Sequence, residues 1–179
     1  MKIKVILKRY KLFLFVLTFN IVLGCIIPEL GASSFEMTKS NLLEMLSVIP
    51  PIFILLGLLD VWVDKETMMR FLGKGSGIRG VAIAFALGAA AAGPLYAAFP
   101  VATVMMKKKA SLFNVFIFIG AWSTAKIPLL TFEASSLGLA FAGTRLFINI
   151  FGIIAIAFIV EKSLNETQKE EVYAIAEKE

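Results

Sequence analysis

The sequence predicts an all-α fold, a polytopic bundle of membrane helices, and three observations support this. Of 179 residues, 59% are hydrophobic and only 17% are charged, which is more apolar surface than a soluble domain of this size can bury. Apolar stretches long enough to cross a hydrocarbon layer of about 30 Å recur along the chain. The basic residues lie at the ends of these stretches, where they act as topology signals. We expect four transmembrane helices and one broken re-entrant helical hairpin, with five crossings as the alternative.

The N-terminal third predicts two of the four helices. The first, residues 12–27, follows a basic cluster made of Lys2, Lys4, Lys8, Arg9 and Lys11. The residues up to Cys25 loosely resemble a lipoprotein cleavage box, so cleavage there is the alternative to an uncleaved first helix. Residues 28–40 are rich in turn formers and predict a polar loop. The second helix is expected over 42–63.

A glycine-rich connector, residues 64–80, follows the second helix. Its Gly75-x-Gly77-x-x-Gly80 pattern formally matches a dinucleotide-binding fingerprint. That fingerprint requires a preceding strand, and here an apolar helix precedes it. We therefore interpret these residues as a flexible connector.

The central apolar stretch, residues 81–106, holds no charge over 26 residues but is interrupted by Gly93, Pro94 and Pro100. A proline inside a helix removes a backbone hydrogen bond, and such breaks survive in a membrane only where protein or water satisfies the freed groups. If the stretch crosses, nine basic residues lie inside and seven outside; if it returns at Gly93-Pro94, fifteen lie inside and one outside. The charge asymmetry favours a re-entrant hairpin. Its first arm is rich in alanine and glycine, so we expect neighbouring helices to enclose it.

The last two spans, residues 111–132 and 137–160, carry polar groups at membrane depth. Lys126 should face a cavity, free carbonyls or a carboxylate, with Glu133 and Glu44 as candidate partners, or else extend to the outer interface. Arg145 and Asn149 are one turn apart and should face the bundle interior. Residues 161–179 predict a polar cytoplasmic tail, which leaves residues 1–160 as a single membrane domain.

Three strings carry a family resemblance: Leu-Gly-Lys-Gly-Ser-Gly-Ile-Arg-Gly at 72–80, Ala-Gly-Pro-Leu-Tyr-Ala-Ala-Phe-Pro-Val-Ala at 92–102, and Gly-Ala-Trp-Ser-Thr-Ala-Lys-Ile-Pro at 120–128. With them, residues 40–160 resemble the bacterial permease family of ArsP/YraQ type, which includes organoarsenical efflux permeases. The resemblance implies an inner-membrane protein that moves a small solute such as a metalloid or metal species. Larger members have two related halves, and this chain looks like one half. Residues 93–100 lack the cysteines that suit trivalent arsenic, so arsenic is not the predicted substrate.

The predicted function is therefore a permease subunit that moves a small solute, such as a metalloid, a metal or a small anion. It would reside in the bacterial inner membrane with both termini cytoplasmic. The alternative is a scaffold or accessory subunit that does not transport. With no histidine and one cysteine we expect no enzyme activity, metal site or cofactor. The expected partners are the lipid bilayer, the solute and a second copy or another half-permease, not nucleic acid. The predicted solute pathway consists of Gly93, Pro94, Tyr96, Pro100, Ser123, Thr124, Lys126, Arg145 and Asn149.

Overall fold

A computed structural model of the chain describes residues 10–91 and 93–178, without the side chains of residues 56, 59 and 60. All regular structure in these described residues is helical, which confirms the predicted fold class. The basic cluster at residues 2–9 lies outside the described residues. The elements are α1 (Lys11–Ile26), α2 (Pro28–Trp62), α3 (Lys65–Leu72), α4 (Gly77–Ala90), a 3-10 turn (Leu95–Ala97), α5 (Ala98–Lys107), α6 (Leu112–Thr124), α7 (Ile127–Ser136), α8 (Leu139–Ser163) and α9 (Glu166–Lys178).

Two helical spans within the described residues are long and apolar enough to cross a membrane. Leu112–Ser136 combines α6 and α7, and Leu139–Ser163 is α8; each has 25 residues. Shorter apolar helices are Lys11–Ile26, Gly77–Ala90 and Leu95–Lys107. The number of crossings stays a prediction.

The chain divides into two compact units, one up to Pro50 and the other from Pro51 onward. In the first unit, α1 and the start of α2 approach closely: a Cβ on Gly24 would lie 3.1 Å from the Cα of Gly31. The prediction of a polar loop at 28–40 is wrong, because these residues form the start of α2. Pro28 occupies the first helical position, where its missing N–H costs nothing, and several good helix formers follow it.

In the second unit, α6 packs against α4, α5 and α8. On α4, Gly80, Ala84, Gly88 and Ala89 are buried. Ala82, Ala86 and Ala90 are exposed, so neighbouring helices cover one face of this small-residue arm and not the whole of it. The close approach is visible at Gly88, where a Cβ would lie only 2.8 Å from the Cβ of Ala121. Small side chains thus let α4 lie directly against the backbone of α6.

Helices α4 and α5 form a hairpin whose two ends meet. The amide of Ser111, just after α5, donates to the carbonyl oxygen of Leu72, just before α4, at 2.8 Å. Lys108 Nζ donates to the carbonyl oxygen of Val63 at the same end. The chain reverses around Gly93, whose φ of +103° is a conformation that favours glycine.

The residues expected to form a polar tail include α9, which packs against α5. Tyr173 donates its hydroxyl proton to the carbonyl oxygen of Ala110 at 2.7 Å, and Lys109 Nζ lies 2.5 Å from Glu177 Oε1. Helix α9 therefore belongs to the same compact unit as the helices from Pro51 onward. The domain boundary at residue 160 stays a prediction.

Candidate functional site: two helix breaks that meet

The first break separates α4 from the 3-10 turn and includes Gly93 and Pro94. Ala91 and Pro94 are both extended, with ψ values of 142° and 161°. Helix α4 therefore stops at Ala90. The carbonyl group of Gly93 is left available for a partner outside the helix ladder.

The second break separates α6 from α7, near the middle of the 25-residue span. Ala125 and Lys126 leave helical geometry, and Pro128 lies in the first turn of α7. In an unbroken helix the carbonyl oxygen of Thr124 would accept from the amide of residue 128, which proline lacks. Pro128 therefore leaves the Thr124 carbonyl oxygen without its usual donor from the helix backbone.

The two breaks meet at the carbonyl oxygen of Gly93. This atom accepts a hydrogen bond from Lys126 Nζ and another, at 3.4 Å, from the indole Nε1 of Trp122. Trp122 is buried and packs edge to face on Phe118, with 5.4 Å between ring centroids. Of the environments predicted for Lys126, the structure shows a free carbonyl, which satisfies part of an ammonium's hydrogen-bonding capacity.

Helix α8 supplies the polar groups behind these breaks. Asn149 Nδ2 donates to the carbonyl oxygen of Thr124 at 3.4 Å, so an amide replaces the donor that Pro128 lacks. Arg145 Nε donates to Glu133 Oε2 at 2.6 Å, and Glu133 is buried. Of the two candidate carboxylates for Lys126, Glu133 is thus paired with Arg145 in the structure.

Arg145 has hydrogen-bonding capacity to spare. Its Nη2 is buried and finds no hydrogen-bond partner within the part of the chain that the structure describes. A guanidinium offers five N–H donors in a planar fork, so a polar group brought near Glu133 could still be bound there.

The other predicted pathway residues lie around these contacts but differ in exposure. Tyr96 lies in the 3-10 turn and is 40% exposed, and the side chain of Ser123 is exposed on α6. Thr124 donates its hydroxyl proton back to the carbonyl oxygen of Gly120 at 3.0 Å. Pro100 is the third residue of α5, within a first turn whose amides have no helical partner, so it does not break this helix.

Sequence reasoning did not select Trp122 or Asn114. A signal for Trp122 was present, because an indole N–H inside an apolar span requires an acceptor. Asn114 is 2% exposed and donates to the carbonyl oxygen of Leu72 and to Ser76 Oγ, both at 2.9 Å. Both of its acceptors lie some forty residues earlier, and residue spacing does not reveal such contacts.

The two breaks therefore bring two donors, one of them cationic, onto one carbonyl oxygen. Such a cluster can exchange hydrogen bonds with a polar solute without covalent chemistry. Within the described residues, no group of three or more metal-ligating side chains lies close enough together to hold a metal ion.

Comparison with known proteins places this arrangement in a family. No curated protein and no solved structure matches the chain. A family model described as a predicted permease, ArsP_1, matches residues 31–179, which include both helix breaks and all nine predicted pathway residues. The chain therefore belongs to the ArsP_1 family of predicted permeases.

Proposed function

We propose that the protein is a permease subunit that moves a small solute across the bacterial inner membrane, past the point where its two broken helices meet. The observation that carries this proposal is the Gly93 carbonyl oxygen, held between Trp122 Nε1 and Lys126 Nζ. Membership of a predicted permease family supports transport in general terms. The position of the site within the chain supports the specific pathway.

The depth of the site supports transport. Residue 124 is the midpoint of the 25-residue span Leu112–Ser136, which is about 37 Å long at 1.5 Å per residue. Trp122 and Lys126 therefore lie close to the bilayer midplane when this span crosses. Secondary transporters commonly bind their solutes at this depth, between discontinuous helices whose free peptide groups take part in binding.

We further propose that α4 and α5 enter the membrane as a re-entrant hairpin. The hydrogen bond from Ser111 to Leu72 supports this, because it holds both ends of the hairpin together. Helix α4, with 14 residues, is about 21 Å long, which is enough to pass the middle of a hydrocarbon layer of about 30 Å.

Lys126 provides a physical mechanism for opening the contact between the two helix breaks. An ammonium group bonded to one neutral carbonyl retains unused donors, and its charge is costly at membrane depth. A solute that carries negative charge or strong acceptors would bind Lys126 in place of the Gly93 carbonyl and release the hairpin tip. No bond to the solute forms or breaks in this cycle, so we propose transport rather than catalysis.

The oligomeric state follows from the resemblance to longer permeases with two related halves. We propose that a second copy or another half-permease supplies the second half, with both termini of each copy cytoplasmic. Cross-linking in native membranes tests this assembly; a chain that remains monomeric in membranes while transporting contradicts it.

The direct test is solute flux into proteoliposomes, with phosphate, sulfate, arsenite and antimonite as probes. Lys126→Met keeps the length of the side chain but removes its charge and donors. We expect it to lower flux at least tenfold for any probe that the unmodified protein transports, while the protein remains folded by circular dichroism. The matched control is Lys162→Met at the end of α8, where the ammonium lies over the Phe158 ring at 5.9 Å. Equal flux through both variants contradicts this site; no flux of any probe through the unmodified protein favours the scaffold alternative.

A further inference from the structure

A second polar site lies at the end of the helices away from the hairpin tip. It is a cleft of about 460 Å³ between the glycine-rich connector, the start of α6 and the end of α8. This volume falls in the range of small-molecule sites, roughly 300–1,000 Å³. The lining of the cleft includes Lys74, Gly75, Ser76, Gly77, Asn114 and Glu161.

Asn114 is the first indication that this cleft binds a ligand. The residue is 2% exposed, and its Oδ1 finds no hydrogen-bond partner among the described residues. The amide orientation is fixed by chemistry, because the carbonyl oxygen of Leu72 accepts from Nδ2 and could not pair with an oxygen. A buried acceptor without a donor costs free energy, so a ligand that carries N–H or O–H donors would bind favourably in this cleft.

The start of α4 offers the complementary groups. The first intrahelical bond runs from the amide of Gly80 to the carbonyl oxygen of Ser76, so the amides of residues 77–79 have no helical partner. Ser76 makes no capping hydrogen bond with its side chain; its Oγ instead accepts from Asn114 and keeps its own proton to donate. Such a helix start favours a phosphate group.

The charges in the cleft favour a ligand with both signs. Lys74 adds a cation near the helix start, and its surface pair with Glu166 at 3.5 Å is weak enough to exchange. Glu161, near the end of α8, adds a carboxylate to the lining of the cleft. A purely anionic ligand would be repelled by Glu161, whereas an ammonium group would pair with it and donate to Asn114 Oδ1.

We propose that this cleft binds a phosphoethanolamine group, with the phosphate at the start of α4 and the ammonium between Asn114 and Glu161. The position suits a phospholipid headgroup, because the spans Leu112–Ser136 and Leu139–Ser163 both end there. The same chemistry exists in free O-phosphoethanolamine. The glycines of the connector also fit this role. Gly75 and Gly77 have φ values of +96° and +54°, which favour glycine, and they have no side chain to cover the backbone at this point.

The test compares headgroups that differ at one feature. The full-length protein is purified in detergent and titrated with phosphatidylethanolamine, phosphatidylcholine or phosphatidylglycerol, and bound lipid is counted by native mass spectrometry. Choline carries the same charge as ethanolamine but no N–H donor, and glycerol carries no cation. We expect phosphatidylethanolamine to bind about tenfold more tightly than either, the effect of one charged hydrogen bond. Equal retention of all three lipids overturns the proposal.

Variants localise the binding. Glu161→Gln should lower phosphatidylethanolamine affinity about tenfold and should not lower phosphatidylglycerol affinity, because it removes the repulsion of an anionic headgroup. Glu170→Gln on the exposed face of α9 should change neither affinity. Asn114→Leu, if it folds, should lower phosphatidylethanolamine affinity to the same extent as Glu161→Gln. If Asn114→Leu does not fold, the result for Glu161→Gln decides the test. Equal effects of Glu161→Gln and Glu170→Gln overturn the proposal.

A competition experiment distinguishes the two sources of the headgroup. Free O-phosphoethanolamine is added at millimolar concentration, with inorganic phosphate as the control. If O-phosphoethanolamine displaces the lipid and inorganic phosphate does not, the cleft binds the soluble compound as well as the lipid. If neither compound displaces the lipid, the cleft binds only the lipid headgroup. Displacement by inorganic phosphate to the same extent overturns the role of the ammonium group.

Discussion

The carbonyl oxygen of Thr124 shows how one proline determines a contact between helices. Pro128 removes the amide that would satisfy this oxygen, and Asn149 of α8 donates to it at 3.4 Å instead. The donor that a helix normally supplies from its own backbone thus comes from a neighbouring helix. This exchange ties α8 to the break between α6 and α7.

Asn149→Leu should therefore destabilise the protein by about 1 kcal/mol, because it leaves the Thr124 carbonyl oxygen without a donor. Combining it with Pro128→Ala should recover most of this loss, since residue 128 regains the amide that Thr124 requires. Unfolding of the detergent-solubilised protein, followed by circular dichroism, measures both effects. Equal stability of the single and double variants would show that the amide of residue 128 does not reach the Thr124 carbonyl oxygen.

The contact between α4 and α6 depends on the absence of side chains. At Gly88 a Cβ would lie 2.8 Å from the Cβ of Ala121 and 2.9 Å from the amide nitrogen of Trp122. Both neighbours belong to a buried helix, so neither can move at low cost.

Gly88→Ala should destabilise the protein by about 1 to 3 kcal/mol through overpacking. Gly152→Ala is the matched control, because nothing lies within 4 Å of a Cβ at this helical position. It should be neutral or stabilising by up to about 1 kcal/mol, the intrinsic helix preference of alanine over glycine. Thermal unfolding of Gly88→Ala and Gly152→Ala measures the change in stability of each variant. Equal changes in the two variants would contradict the close packing of α4 on α6.

Helix α9 is held by groups that titrate outside the membrane. The hydrogen bond from Lys109 lowers the pKa of the Glu177 carboxyl below its ordinary value of 4.5. Burial raises the pKa of Tyr173 above 10.0, since it disfavours the phenolate. The lowered carboxyl pKa means that the Glu177 contribution is complete above about pH 4.5 and is lost as the pH falls further. The raised phenol pKa means that the Tyr173 contribution is complete below about pH 10 and is lost as the pH rises further.

We therefore expect α9 to be docked between about pH 5 and 9 and to loosen on either side. A spin label at Ala174→Cys, in a Cys25→Ser background, should report low mobility within this window and higher mobility at pH 3.5. Glu177→Gln removes the titrating carboxylate, so mobility in this variant should no longer change in acid. An acid response of the same size in Glu177→Gln would assign the transition to another group.

The sequence predicted those features of the molecule that backbone chemistry determines locally. Gly93 and Pro94 interrupt the apolar stretch as predicted, because proline lacks the amide that a continuing helix needs. The small residues of α4 predicted a close approach to a neighbouring helix, which Gly88 shows. The loop at 28–40 was wrong because polar residues were taken to indicate turns, although most of them are compatible with a helix. The pairing of Glu133 with Arg145 depends on how α7 and α8 pack, which residue spacing alone does not reveal.

The hairpin has a consequence for the topology of the whole chain. The basic residues after α5 should lie on the same membrane side as those before α4, because Ser111 donates to Leu72 across the open end. This matches the charge distribution expected of a re-entrant segment, in which fifteen basic residues share one side. A kinked crossing would instead place Lys107 and the end of α8 on the membrane side opposite to the residues before α4.

Cysteine accessibility distinguishes these two topologies. In a Cys25→Ser background, single cysteines replace Lys107, Lys162 or Leu137, and an impermeant maleimide is applied to intact cells or to inverted vesicles. Lys107→Cys and Lys162→Cys should react only in inverted vesicles, and Leu137→Cys only in intact cells, because α8 separates the last two positions. Reaction of Lys107→Cys and Lys162→Cys in intact cells, with Leu137→Cys reacting only in inverted vesicles, would mean that residues 81–106 cross the membrane. The site where the two helix breaks meet would then have to form without a hairpin.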